Sequence, residues 1–135
     1  MVISHGLNLD QVDSWFASEI TVRYDMVRRL IEVVVTLSRN DSEGILVLQD
    51  KLDDYDQQDL KLNLNSYCLS DELGRTVYGC VVNCEIQPAT LYLELSDAAV
   101  SIGWQRQLKI DIPAQHGVEP VLYGALSRIF RSVDR

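Results

Sequence analysis

The densest run of side chains able to do chemistry lies at residues 50–59, where Asp50, Asp53, Asp54, Asp56 and Asp59 surround Tyr55 and the amides Gln57 and Gln58. Carboxylates so spaced can ligate a hard cation, share a proton in hydrolysis, or present a negative surface to a basic partner. Asp54, Asp56 and Gln58 match the first three ligand positions of a calcium loop. The match ends there, because Asp59 stands where the sharp turn needs glycine and Asn65 where a bidentate glutamate is required. A hydrolytic pair needs two acids on elements facing across a cleft, and one contiguous run supplies only one element. The run therefore reads as a solvated loop or a docking patch, with no metal implied. Tyr55, ringed by Asp53, Asp54 and Asp56, has the composition of an interface anchor with an electrostatic rim. A tyrosine folded back onto the core is the alternative.

The remaining reactive residues are few. Cys80 and Cys84, four residues apart on an extended chain, sit about 13 Å from one another, too far to share an ion. Cys80, Val82, Cys84 and Ile86 are instead expected to form one apolar face, with the thiols buried. Three cysteines, the third being Cys68, cannot all pair, which suits a reducing compartment. His5 and His116 lie in polar surroundings without a nucleophile motif nearby, and there is no glycine-rich phosphate loop or His-Glu-x-x-His. These features predict neither an enzyme nor a bound cofactor.

The elements that must position these residues are mostly strands. Leu9, Val12, Trp15 or Phe16, and Ile20 recur at helical spacing behind Asp10 and predict a short amino-terminal helix, with an extended reading as the competitor. β-Branched residues then dominate to Leu37, with Ile31, Val33, Val35 and Leu37 on one face. The polar stretch 39–44 predicts a hairpin turn into Ile45-Leu46-Val47-Leu48. Further strands are expected at 66–71, 77–86, 90–95 and 108–112, with a short helix near 96–103. Val118, Val121, Leu122, Ala125, Leu126, Ile129 and Phe130 draw an apolar stripe on a closing helix that Pro120 begins. Trp15, Tyr24, Tyr67, Tyr78, Tyr92, Trp104 and Tyr123 are for the most part expected in or at the edge of the core. The fold class is therefore α+β, a largely antiparallel sheet of six or seven strands packed by a carboxyl-terminal amphipathic helix.

The chain of 135 residues, 47% hydrophobic and 24% charged, is long enough for one domain with a true core. Its net charge of −8 disfavours nucleic acid and anionic membranes and favours basic partners. Neither a signal peptide nor an apolar run long enough to span a bilayer is present, so the expected location is the cytoplasm. An open sheet must end in edges, and the amino-terminal strands could pair across a twofold axis in a homodimer.

From Gly44 to Phe130 the chain resembles the immunity protein 10 family of bacterial polymorphic toxin systems. The resemblance rests on Ile45-Leu46-Val47-Leu48-Gln49 leading to Asp56-Gln57-Gln58-Asp59, then Leu62-Asn63-Leu64-Asn65-Ser66-Tyr67 and Val77-Tyr78-Gly79. The leucine strand 91–95, Asp97-Ala98-Ala99 with Gly103, and Leu126-Ser127-Arg128-Ile129-Phe130 complete it. Residues 1–43 carry no match of this kind. The chain departs from the family pattern at Asn63 and Asn65, where glycine and aspartate are usual, and at Cys80, where a second glycine is usual. The resemblance implies a protein that binds and neutralises a cognate toxin, a class in which many members are nucleases with basic clefts. The partner-binding residues expected on that reading are Asp50, Asp53, Asp54, Tyr55, Asp56 and Asp59, with Asp71 and Glu72 across the sheet edge. A small-ligand or regulatory domain using the sheet's concave face is the alternative.

Overall fold

The computed structural model describes residues 12–53, 57–58, 67–87, 89–113, 120–131 and 133. Eight strands form one sheet: β1 (Val12–Asp25), β2 (Leu30–Arg39), β3 (Ser42–Lys51), β4 (Cys68–Asp71), β5 (Thr76–Tyr78), β6 (Val81–Gln87), β7 (Thr90–Leu95) and β8 (Gln107–Asp111). Two helices, α1 (Asp97–Ser101) and α2 (Pro120–Ile129), complete the described elements. The strand order is β5-β4-β3-β2-β1-β8-β7-β6, and every neighbouring pair is antiparallel except β1 with β8. The α+β class holds, with eight strands in place of six or seven.

The connection between β5 and β6 dictates the shape of this sheet. These strands stand at opposite ends of the order, yet only Gly79 and Cys80 join them. Laid flat, eight strands would hold their edges roughly 34 Å apart. Three peptide steps from Tyr78 to Val81 reach about 11 Å at most. The sheet therefore curls until its two edges meet at that corner. Tyr67 fastens them: its carbonyl accepts from the Gly79 N–H at 2.9 Å, and its hydroxyl accepts from the Val81 N–H at 3.0 Å and donates to the Val81 carbonyl at 3.3 Å.

Inside the curl sits α2, packed against β1, β2, β3 and β6. Leu122, Ala125, Leu126 and Ile129 form its buried stripe, followed by Phe130, while Val121 faces out. They meet Ile31, Val33, Val35 and Leu37 of β2, Leu46 and Leu48 of β3, and Leu91, Leu93 and Leu95 of β7 in one core. The Phe130 and Tyr67 rings stand edge to face at 5.2 Å, so the edge clip and the helix share a contact.

Several expectations need correction. Leu9 and Asp10 lie outside the described residues, and from Val12 on the stretch read as an amino-terminal helix is β1, because its alternation runs in two phases divided by a bulge at Ala17–Glu19, and the phase jump mimics helical spacing. The hairpin turn is confined to Asn40 and Asp41, with Asn40 in the left-handed region at φ 53°. Gly44 lies within β3, where its missing side chain leaves room for Glu72 and Trp15. The single strand expected at 77–86 is two strands at opposite edges. A second bulge at Val81–Asn83 puts Val81 in the core and leaves Val82 exposed, while Cys80 and Cys84 are buried as expected. Tyr24, Tyr78 and Tyr123 are about half exposed and stand outside the core.

Phe130→Ala should cost about 3–5 kcal/mol, since it empties a fully buried ring site and removes the partner of the Tyr67 clip. Urea unfolding followed by tryptophan fluorescence reads this as a lowered midpoint.

Candidate functional site

The end of the sheet where β1, β4 and β8 open and the β2–β3 hairpin turns carries a cavity of about 190 Å³. Trp15 of β1 and Trp104, which follows α1, form two of its walls. Each indole is capped by an arginine. The Arg39 guanidinium lies 4.0 Å from the Trp15 ring centre, and that of Arg75 lies 5.9 Å from Trp104. Each arginine is neutralised in turn, Arg39 by Asp13 and Arg75 by Asp71 at 2.5–2.6 Å. Gly103, at φ 108°, makes the Arg75 arrangement possible, because a Cβ there would collide with the guanidinium. The Trp104 Nε1 is buried and finds no acceptor among the described residues.

Glu72 lines the cavity, Asp41 and Glu43 lie on the adjoining β2–β3 hairpin, and around this end of the sheet the charge is unbalanced. Glu72 accepts a hydrogen bond from the Ile45 N–H at 2.9 Å, but neither it nor Asp41 nor Glu43 has an ion-pair partner among the described residues. Ile45 and Leu73, 40% and 71% exposed, stand beside these acids. An acidic rim with exposed aliphatic groups suits a basic protein surface. The cavity is below the roughly 300–1,000 Å³ of a small-molecule site and is sized for an inserted side chain. A larger groove of about 500 Å³ between the end of β6 and α2, lined by Glu85, Ile86, Gln87, Tyr123 and Ser127, is wide open to solvent.

The expected acids do not come together as one patch. Asp50 is 4% exposed, its carboxylate held at 2.7 Å by Arg131, so it braces the end of α2 and is withdrawn from the surface. Arg128 adds to this brace by donating to the carbonyls of Lys51 and Leu52. Asp53 is exposed and pairs with Arg29 at 3.1 Å, and that hydrogen bond holds its carboxyl below the usual range. Asp71 is tied to Arg75, and only Glu72 of that pair is exposed. Asp71 pairs beside Leu46 of β3, about 13 Å along the strand from Asp50. Asp54, Tyr55, Asp56 and Asp59, like His5 and His116, lie outside the described residues. The unpaired acids Asp41 and Glu43 are visible in the sequence, but inside a segment whose composition speaks first of a turn.

The cysteines carry no sign of nucleophilic chemistry. Burial raises the Cys68 thiol and pushes that of Cys80 up to about 11. The Tyr67 hydroxyl, also buried, is pushed up to about 12. Among the described residues no three His, Cys, Asp or Glu side chains group in a way that could hold a metal ion. No helix among them is long and apolar enough to cross a membrane.

An unfolded thiol ionises near pH 8.5, so the folded chain holds the Cys80 proton more tightly than the unfolded one. Stability should therefore fall as pH rises from about 8.5 toward 11. At pH 8 a thiol reagent should leave Cys80 unmodified in the native protein and modify it at once in urea. Fast native labelling of Cys80, located by mass spectrometry, contradicts this.

A family model described as Immunity protein 10 matches residues 16–118, well over half of the chain. The match begins within β1, earlier than the resemblance read from Gly44 onward, and ends before α2. No curated protein and no solved structure matches the chain.

Proposed function

Because the chain belongs to the Immunity protein 10 family, we propose that it protects its cell by binding a cognate protein toxin at the acidic end of the curled sheet and occluding that toxin's active surface. Family membership makes it an immunity protein directed against a toxin. The observation that carries the docking assignment is the uncompensated acidity of Asp41, Glu43 and Glu72 beside exposed Ile45 and Leu73.

Charge selects the class of toxin. Eight basic side chains among the described residues are each matched to a carboxylate, so little positive surface offsets the net charge of −8. Such a field steers a positive partner onto the rim and repels nucleic acid and anionic lipid. A nuclease must hold phosphate and so presents a basic cleft, which fits this rim. Exposed Asp53, with Asp54, Asp56 and Asp59 after it in the chain, adds to the long-range field, and Tyr55 among them is an anchor for short-range contact. Leu73, Ile45 and the tryptophan-walled cavity supply the short-range contacts that set residence time. Encounter takes place in the cytoplasm, where the protein acts as a stoichiometric inhibitor without catalysis.

Stopped-flow binding to toxin recovered on the tagged protein tests this assignment. Joint replacement Asp41→Asn, Glu43→Gln and Glu72→Gln should slow association about tenfold at low salt and flatten its salt dependence. Leu73→Ala should act mainly on the dissociation rate. If neutralising Asp53, Asp54 and Asp56 slows association while the rim variant binds normally, the docking surface is the 50–59 loop and the rim assignment fails.

A further inference from the structure

We infer that two copies of this chain pair through the edge of β1 that no described strand covers, antiparallel and about a twofold axis at Thr21. β8 accompanies β1 only along Val12–Phe16, whereas β2 follows it from Phe16 to Asp25. Beyond Phe16, Ala17–Asp25 has a strand on one side only among the described residues. An open edge of nine residues is a template for another strand. Of the two terminal strands, β5 is three residues long, and β6, seven residues long, lies beside α2 across the open groove that Tyr123 and Ser127 border.

The edge itself specifies a second copy. In an antiparallel pairing centred on Thr21, Glu19 faces the partner's Arg23, Ile20 faces the partner's Val22, and each contact occurs twice. Glu19 has no ion-pair partner among the described residues. Arg23, its side chain 58% exposed, spends one guanidinium nitrogen on Glu32 at 2.8 Å and keeps further donors. Both lie on the outer face, where Glu32, Val34 and Thr36 are their neighbours on β2. Ile20 and Val22 lie on the inner face and are only partly covered by the core.

Neighbouring registers lose this match. An axis at Val22 sets Glu19 against Asp25, and an axis at Ile20 leaves Glu19 and Arg23 facing uncharged residues.

Sedimentation velocity on the full chain, at about 10 to 100 µM, tests the inference. The wild-type protein should be a dimer. Glu19→Lys and Arg23→Glu, each shown by circular dichroism to be folded, should separately raise the dissociation constant about tenfold or more. An equal mixture of the two variants should dimerise again, because each supplies the charge that the other lacks. A wild-type monomer across this range, variants that dimerise normally, or a mixture no tighter than either variant alone overturns the inference. So does edge protection in amide exchange that arises only when toxin is bound.

Discussion

The shape of this protein depends on a connection two residues long. Gly79 and Cys80 must carry the chain from one edge of an eight-stranded sheet to the other, and a flat sheet makes that impossible. Gly79 meets the demand at φ 58°, a backbone region that costs glycine little. Tyr67 then pins the two edges by three hydrogen bonds, two of them through one buried hydroxyl. Curling creates the concave interior, and α2 fills it with an apolar stripe that no flat sheet could enclose on so many sides.

The curl also separates the molecule's charges into two ends with different tasks. At one end Arg128 and Arg131 of the closing segment take up the Lys51 and Leu52 carbonyls and the Asp50 carboxylate, so that acidity is used to hold the helix in place. At the other, the tryptophan–arginine stacks are closed off by Asp13 and Asp71, and the rim acids Asp41, Glu43 and Glu72 are left over. Internal order thus accounts for some of the acids that the sequence makes conspicuous. Among the described residues no basic side chain pairs with the rim acids, so their charge stays uncompensated.

Much of this was legible in the chain. β2, β3, β7, β8 and α2 follow patterns of strict period, and Ile31 to Leu37, Leu91 to Leu95 and Leu122 to Ile129 are buried as that pattern requires. Both bulges defeated the same reasoning, since one extra residue inverts the phase of everything after it: β1 then resembled a helix, and Val82 was assigned the wrong face. The break at Gly79–Cys80 was hidden because the apolar character of 77–86 continues across it. The site was less legible still. Asp50 and Arg131 are 81 residues apart, and Trp15, Gly44 and Glu72 meet only because three strands align them. Local composition can flag an acidic residue, but only tertiary pairing decides whether its charge is spent inside the fold.

The central claim is that the open end of the curled sheet is the surface a toxin covers. Hydrogen–deuterium exchange of the full chain, free and saturated with cognate toxin, addresses it residue by residue. The account predicts that toxin adds protection along the hairpin 39–46, at 71–75 and around Trp104. Protection confined to residues 50–59, or to the far end around Arg128 and Arg131, with the hairpin exchanging as in the free protein, would contradict it.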